Sequence, residues 1–324
     1  MKLPNMTAFV AALLATALGL PPTAWTQDWP SKPVKIVVAF APGGTADLFA
    51  RLLASEMTNT FKQQFYVENV AGSAGAIGSG QAARARPDGH TLLIGGAGPL
   101  LTSPAVNPNV GYDTLRDFTH IAMIAGEGYV LVSNPATELK TFADVQRLGA
   151  QKVLTAGSPG AGSLGHLIIE QIKRKVGMQL QHVPFRSAGE SMTGVLGGHV
   201  DLAIQTFSST GEQVRAGKVV GLAATSSERV AAFKDTPTFA ELGFRDIGGV
   251  AWFWLTAPAN LPADIVGKLN GEVRRIVQLP DTRRRFASDA LVTMDLGPAA
   301  LTDFIAGEVA TWGLLARDIG LLVQ

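Results

Sequence analysis

Short β-branched runs alternate with helical segments along most of the chain, and this alternation limits the possible folds. Residues 34–40 precede a helical pattern over 47–60, and residues 64–70 precede another over 77–84. Further strands are predicted over 91–95, 129–133, 152–156, 179–183, 202–205, 219–224 and 249–257, and further helices over 141–148, 164–176, 189–196, 211–216, 263–278, 281–290 and 299–320. The pattern is typical of parallel sheets covered by helices on both faces.

Length and composition indicate two α/β lobes. The 324 residues suffice for about two domains, and 47% of them are hydrophobic against 16% charged, so both lobes can bury a core. The 27 basic residues nearly match the 26 acidic ones and form no long basic run, which argues against nucleic-acid binding. Because the chain has no cysteine, disulfides, cysteine nucleophiles and a lipobox lipid anchor are excluded.

The N-terminus predicts export. Lys2 precedes an apolar run over 6–20, which two prolines and small residues follow, as in a secretory signal. A run of about 15 apolar residues is shorter than the roughly 20 that span a bilayer. We predict a signal peptide over 1–26, cleaved after Thr26, and a mature periplasmic protein. Since the signal contains Lys2 and no acid, the mature chain has a net charge of zero.

Three glycine-rich segments follow predicted strands and lead into predicted helices. The first runs from Phe40 to Asp47, where we expect Thr45 to cap the helix and the amides of 44–47 to face the ligand crevice. The second spans 71–78 and contains Ser73 and Ala74. The third spans 158–166. Ligands bind at the carboxyl ends of strands in open α/β sheets, so these segments are candidate binding loops.

The third glycine-rich segment also matches two catalytic or cofactor motifs in part. Gly160, Gly162 and Gly165 form a G-x-G-x-x-G pattern, but residues 181–182 are Gln-His where a dinucleotide site needs an acid. Gly162-Ser163 resembles a nucleophile elbow, although position 161 is alanine. A serine hydrolase that uses Ser163 therefore stays as an alternative function.

The remaining polar residues form no recognisable metal or catalytic site. The five histidines are dispersed, and none is paired at i and i+4. We therefore expect no metal and no cofactor. What remains is a site of backbone amides and hydroxyls at helix starts, which suits a small anion.

The motifs, in this order, resemble those of a known family. The matching segments are 29–33, 41–47, 67–69, 86–93, 112–113 with 117–118, 160–166, 182–186, 196–201, 235–238 and 255–258. Together they resemble the extracytoplasmic solute-binding proteins of tripartite tricarboxylate transporters, the Bordetella uptake gene (Bug) family. The resemblance covers essentially the whole mature chain.

The resemblance implies a two-lobed periplasmic binding protein fold of the type II kind, with a hinge and a ligand cleft at the strand carboxyl ends. It implies a first lobe over 27–126 plus 249–324 and a second lobe over 127–248. The implied function is capture of a small organic carboxylate, without catalysis, and its delivery to the membrane subunits of a transporter. The receptor is expected to be a monomer, and a role in signalling stays as a further alternative.

The resemblance also implies which residues bind the ligand. They are Phe40, Gly44, Thr45, Ala46, Asp47, Ser73, Ala74, Ala97, Gly98, Ala161, Gly162, Ser163 and Gln205. The chain departs from the family pattern at Ala71 and Ala76, where proline and asparagine are frequent, and at Gln205, where many members have an acid. Because Gln205 offers an ammonium group no counter-charge, we expect a dicarboxylate or an aromatic carboxylate without an amine.

Three further side chains have open roles. Trp252 and Trp254 either pack in the core or hinge or line the cleft for an aromatic acid. Arg186 either meets a distal ligand carboxylate or makes a surface or interlobe ion pair.

Overall fold

A computed structural model describes residues 28–107, 109–318 and 320–321 and contains two five-stranded sheets. The predicted signal peptide lies outside the described residues. The strands are β1 (Val34–Val38), β2 (Phe65–Asn69), β3 (Thr91–Gly96), β4 (Phe118–Glu127), β5 (Tyr129–Ser133), β6 (Leu154–Ser158), β7 (Leu180–Pro184), β8 (Leu202–Thr206), β9 (Val220–Ala224) and β10 (Ala251–Pro258). The first sheet has the order β2-β1-β3-β10-β4 and the second β7-β6-β8-β5-β9.

Helices cover both sheets, so the molecule has the predicted two-lobed α/β fold. The helices are α1 (Thr45–Phe61), α2 (Ala76–Ala83), α3 (Ser103–Val106), α4 (Phe142–Gly149), α5 (Leu164–Val176), α6 (Ala188–Leu196), α7 (Phe207–Arg215), α8 (Ala263–Gln278), α9 (Pro280–Ser288) and α10 (Pro298–Asp318). A π-helical turn, Ala97–Thr102, precedes α3. Helix α10 is long and apolar enough to cross a membrane, but Leu301, Ile305 and Trp312 on one face are buried against the protein.

The expectation of fully parallel sheets is wrong for one strand in each sheet. Strand β10 is antiparallel to β3 and β4, and β5 is antiparallel to β8 and β9. Both strands enter their sheet from the other lobe, so no helical crossover within the lobe forces them to be parallel. Strand β4 was also missed by the sequence patterns, although its apolar run from Ile121 to Ala125 is typical of a strand buried on both faces.

Two connections between the lobes form the hinge. Gly128 alone separates β4 from β5, and residues 225–250 connect β9 to β10. Thr225 ties the two connections together: its Oγ1 accepts from the Tyr129 amide at 2.8 Å and donates to the Gly249 carbonyl at 3.2 Å. The hinge is therefore a pair of adjacent chain segments that is hydrogen-bonded across.

The two tryptophans of β10 pack in or against the core of the first lobe, and Trp252 is half-buried. Trp254 is fully buried, and its Nε1 donates to Nδ1 of His120 at 3.1 Å. Trp252 lies edge-on to Phe304 with ring centroids 5.3 Å apart. These contacts fix β10 in the centre of the first lobe, next to the hinge.

Candidate functional site

The three glycine-rich segments follow the carboxyl ends of β1, β2 and β6, where the two lobes meet. In the first segment, the Asp47 carboxylate accepts hydrogen bonds from the Gly43 amide at 3.1 Å, Asn69 Nδ2 at 2.9 Å and Arg51 Nε at 2.9 Å. Burial by itself would raise the pKa of Asp47, but these hydrogen bonds outweigh it and lower the pKa. Asp47 thus stays ionised and holds the loop in shape.

Thr45 does not have its predicted role as a helix cap. The N-cap of α1 is Gly44, which has no side-chain capping bond. Thr45 Oγ1 instead lies 2.7 Å from Ser208 Oγ and 3.2 Å from Thr206 Oγ1, both in the second lobe. The cap prediction is wrong because the hydroxyl finds partners across the cleft that local sequence does not reveal.

The second glycine-rich segment brings strained backbone close to the opposite lobe. Ser73 and Ala74 have φ angles of 47° and 51°, a left-handed conformation that costs a non-glycine residue about 1 to 2 kcal/mol. Ala74 is buried, and a Cβ on Gly160 of the second lobe would lie only 3.5 Å from its Cα. Strain of this kind is typical of ligand-binding segments.

The π-helical turn completes the wall of the first lobe. Ala97 is buried at its start, and a Cβ added to Gly98 would lie 3.3 Å from the ring of Phe40. Thr102 Oγ1 donates to the Gly162 carbonyl of the second lobe at 2.6 Å. This hydrogen bond and those of Thr45 join the lobes across the cleft.

In the third segment, Ser163 is the N-cap of α5. Its Oγ accepts from the His166 amide at 3.2 Å and donates to the Gly160 carbonyl at 2.7 Å. Ala161 is exposed at the tip of the loop, and Gly162, with a φ of 77°, approaches Val106 of the first lobe. The start of α5 therefore faces the start of α3 and the π-helical turn.

Uncharged imidazoles lie beneath this loop. His182 Nε2 is 2.6 Å from Ser158 Oγ, and the rings of His166 and His182 stack at 3.8 Å. Burial, and secondly the neighbouring His166, lowers the pKa of His182 to about 3, and burial also lowers the pKa of His166. Both rings are neutral at physiological pH, so an anion here would meet hydrogen-bond donors without a nearby histidine charge.

The geometry does not support Ser163 as a nucleophile. Within the described residues, its Oγ bonds to the Gly160 carbonyl, the His166 amide and Ser158 Oγ, and to no imidazole nitrogen. A serine nucleophile needs a base within hydrogen-bond reach.

In the part of the chain that the structure describes, no three potential metal-ligating side chains cluster.

Gln205, near the carboxyl end of β8, has an unusual environment. It is 0% exposed, and within the described residues neither atom of its amide has a hydrogen-bond partner. Gln205 lies on the same face of the sheet as Ala203, and Ala203 pairs with Gly157 on the neighbouring strand. Ser191 Oγ packs over this face, because a Cβ added to Gly157 would lie only 2.8 Å from it. Ser191 Oγ is also buried without a partner.

Such unpaired polar groups cost about 1 to 3 kcal/mol each when buried. Sequence patterns did not single out Ser191, because the local sequence does not show whether a helical serine is buried or paired.

Beside this region, a cavity of about 650 Å³ lies between Ala41 and Pro42 on one side and Phe185 and α6 on the other. Arg186 is exposed and outside the lining of that cavity.

The profile of the tripartite tricarboxylate transporter family receptor matches residues 49–321. The chain belongs to this family. It is therefore a periplasmic solute-binding protein, as the motifs predicted, and its family is one of receptors rather than enzymes.

Known relatives cover nearly the whole receptor. It is 35% identical to a UPF0065 protein of Agrobacterium vitis, from the TAR-I ttuE-ttuC' intergenic region, over 98% of this chain and 94% of the relative. The periplasmic binding protein BugD superposes with a TM-score of 0.87 at 28% identity, over 91% of this chain and 100% of BugD. The structure of the R. palustris protein Rpa4515 with adipate superposes with a TM-score of 0.86 at 29% identity, over 90% of this chain and 99% of Rpa4515. The receptor thus shares the two-lobed fold of these binding proteins.

Proposed function

We propose that this receptor captures a small organic acid without an amine, either dicarboxylic or aromatic, and delivers it to the membrane subunits of a tripartite tricarboxylate transporter. The buried, unpaired amide of Gln205 carries the proposal, because it offers a donor and an acceptor but no negative charge. The solved R. palustris relative holds adipate, a dicarboxylate. We further propose cleavage after Thr26 and action as a periplasmic monomer.

In this proposal the ligand carboxylate lies between the starts of α1 and α5. The amides of Gly44 to Asp47 donate to it, the loop at Gly162 and Ser163 grips it from the opposite lobe, and the positive ends of both helix dipoles favour it. None of the three glycine-rich segments contains lysine or arginine. Phe40, Ala74 and Gly98 shape the apolar wall, and the distal part of the ligand extends towards Gln205.

The proposed lobes are 27–126 plus 249–324 and 127–248. The adjacent hinge connections at Gly128 and residues 225–250 support these boundaries. A ligand gripped by both helix starts pulls the lobes together, since neither lobe satisfies the carboxylate by itself.

Matched pairs of acids test the ligand class. We expect succinate to bind more tightly than aspartate, and 3-phenylpropionate more tightly than phenylalanine, because an ammonium group buried near Gln205 lacks a counter-charge. Calorimetry on the purified protein measures the four affinities, and mass spectrometry of acids released by denaturation identifies the co-purified ligand. Tighter binding of either amine-bearing member would overturn the proposed class.

Replacing Ser163 with alanine should weaken acid binding about 5- to 100-fold, because in the proposed complex its hydroxyl turns from the Gly160 carbonyl to the ligand carboxylate and makes a hydrogen bond worth about 1 to 3 kcal/mol. The lost N-cap should also lower the free energy of unfolding by about 1 kcal/mol. Thr141→Ala is the matched control, since Thr141 caps α4 away from the cleft. It should lower stability similarly and leave affinity unchanged, and equal affinities in the two variants would contradict a ligand contact at Ser163.

A further inference from the structure

A buried carboxylate beside the hinge is not used by the proposed ligand site. Glu127 is the last residue of β4 and is 1% exposed. Its Oε2 accepts from the Ser208 amide at 2.7 Å, and its Oε1 accepts from Ser208 Oγ at 2.9 Å. Ser208 lies in the first turn of α7, so Glu127 fixes the start of that helix.

The hydrogen bonds continue from Ser208 into the first lobe. While Glu127 is ionised, Ser208 Oγ donates its proton to the carboxylate, so Thr45 is the donor in the contact of 2.7 Å. When Glu127 is protonated, its own hydroxyl can donate to Ser208 Oγ, which then donates to Thr45, so the chain of hydrogen bonds is kept in both states. Thr45 Oγ1 also lies 3.2 Å from Thr206 Oγ1. Glu127, Ser208 and Thr45 thus form a chain of hydrogen bonds from the hinge to the first glycine-rich segment.

We infer that Glu127 is a positioning residue: it holds Ser208 against Thr45 of the opposite lobe and so favours the closed cleft. We call Glu127, Ser208 and Thr45 the interlobe latch. The inference rests on the proposed function, because the latch matters for binding only if closure of the lobes retains the ligand. The latch breaks when the lobes separate, because Thr45 moves with α1 and Ser208 with α7.

The surroundings of Glu127 make the latch sensitive to pH. Burial raises the pKa of Glu127 to about 7, although hydrogen bonds from Ser208, Thr45 and Thr206 oppose the shift. Within the described chain no basic side chain compensates its charge. The other titratable group facing it is Tyr129, whose own pKa is raised by burial and then by Glu127.

A cavity of about 470 Å³ adjoins the latch. Thr45 and Ser208 line it together with apolar residues of α1 and α9. Its charged lining residues are Glu56, Asp281, Arg285 and Asp289. This cavity gives water and protons a route towards the latch.

The sign of the pH dependence follows from the difference between the open and closed states. Opening lets water reach Glu127 and returns its pKa towards its ordinary value, so closure raises the pKa and takes up a proton. Proton uptake by Glu127 therefore stabilises the closed state. This stabilisation is fully present below the pKa of Glu127 in the open state and is lost as the pH rises through about 7, its pKa in the closed state. Affinity for a ligand that needs closure should therefore fall between pH 6 and pH 8.

Two serine variants test the latch. In Ser208→Ala the link between Glu127 and Thr45 is lost, and we expect the Kd for adipate to rise about tenfold. Ser209→Ala is the matched control, because Ser209 Oγ bonds only to Thr206 of its own lobe. It should keep the wild-type Kd, and equal Kd values for the two variants would overturn the latch.

The pH profile separates positioning from a merely structural role. In Glu127→Gln the fall in adipate affinity between pH 6 and pH 8 should vanish, whereas Ser209→Ala should keep it. A wild-type slope in Glu127→Gln would overturn the assignment.

If the wild-type protein binds neither adipate nor the other acids, the proposed function fails, and X-ray scattering without ligand tests the latch by itself. A larger radius of gyration in Ser208→Ala than in Ser209→Ala supports the latch, and equal values refute it.

Discussion

Replacing Gly162 with alanine should raise the Kd for adipate about 10- to 100-fold. A Cβ at this position would lie 2.7 Å from Cγ2 of Val106 in the opposite lobe. Crowding of a packed contact costs about 1 to 3 kcal/mol, and here the cost falls on the closed state, because opening the cleft relieves it. Calorimetry with adipate measures the change in affinity.

Gly177→Ala is the control for this experiment, since Gly177 lies at the other end of the same helix. Its φ of 73° is close to the 77° of Gly162, but a Cβ there would have no heavy atom within 4 Å. Both variants should lose about 1 to 2 kcal/mol of stability in chemical denaturation, because alanine is strained in the left-handed region. If Gly177→Ala weakens adipate binding as much as Gly162→Ala, backbone strain rather than lobe closure is responsible.

Replacing Gln205 with methionine should change stability and affinity in opposite directions. The unfolding free energy of the ligand-free protein should rise by about 1 to 3 kcal/mol, because an unpaired buried amide is replaced by an apolar side chain of similar size. Adipate binding should weaken about 10- to 100-fold, because the distal end of the ligand loses its polar partner. Denaturation and calorimetry on the same preparation measure both changes.

A second buried glutamine of the same lobe provides the control. Gln171 is 6% exposed, and its Oε1 accepts from the Gly248 amide at 2.9 Å. Gln171→Met should therefore lower stability, because Gly248 loses its partner, and leave the affinity for adipate unchanged. Stabilisation of both variants would mean that burial of methionine alone accounts for the effect, and unchanged adipate binding in Gln205→Met would remove Gln205 from the site.

The fold class and the position of the three glycine-rich loops were predictable because they depend on local patterns. The alternation of strand and helix periods indicated two α/β lobes, and glycine and small residues at strand ends indicated where the chain turns towards the cleft. The direction of β5 and β10 was not predictable in this way. It depends on which lobe each strand comes from, and a strand pattern looks the same in both directions.

The family, the two-lobed architecture and the three loops that meet in the cleft could be predicted from the amino-acid sequence alone. The pairing of polar groups is visible only once the chain is folded. Thr45 and Ser208 are 163 positions apart in the chain, yet their hydroxyls are 2.7 Å from each other, while the Gln205 amide has no hydrogen-bond partner among the residues that the structure describes. Periodicity records which face of an element is buried, whereas the partner of a buried hydroxyl, amide or carboxylate depends on how the sheets and the hinge bring distant residues together.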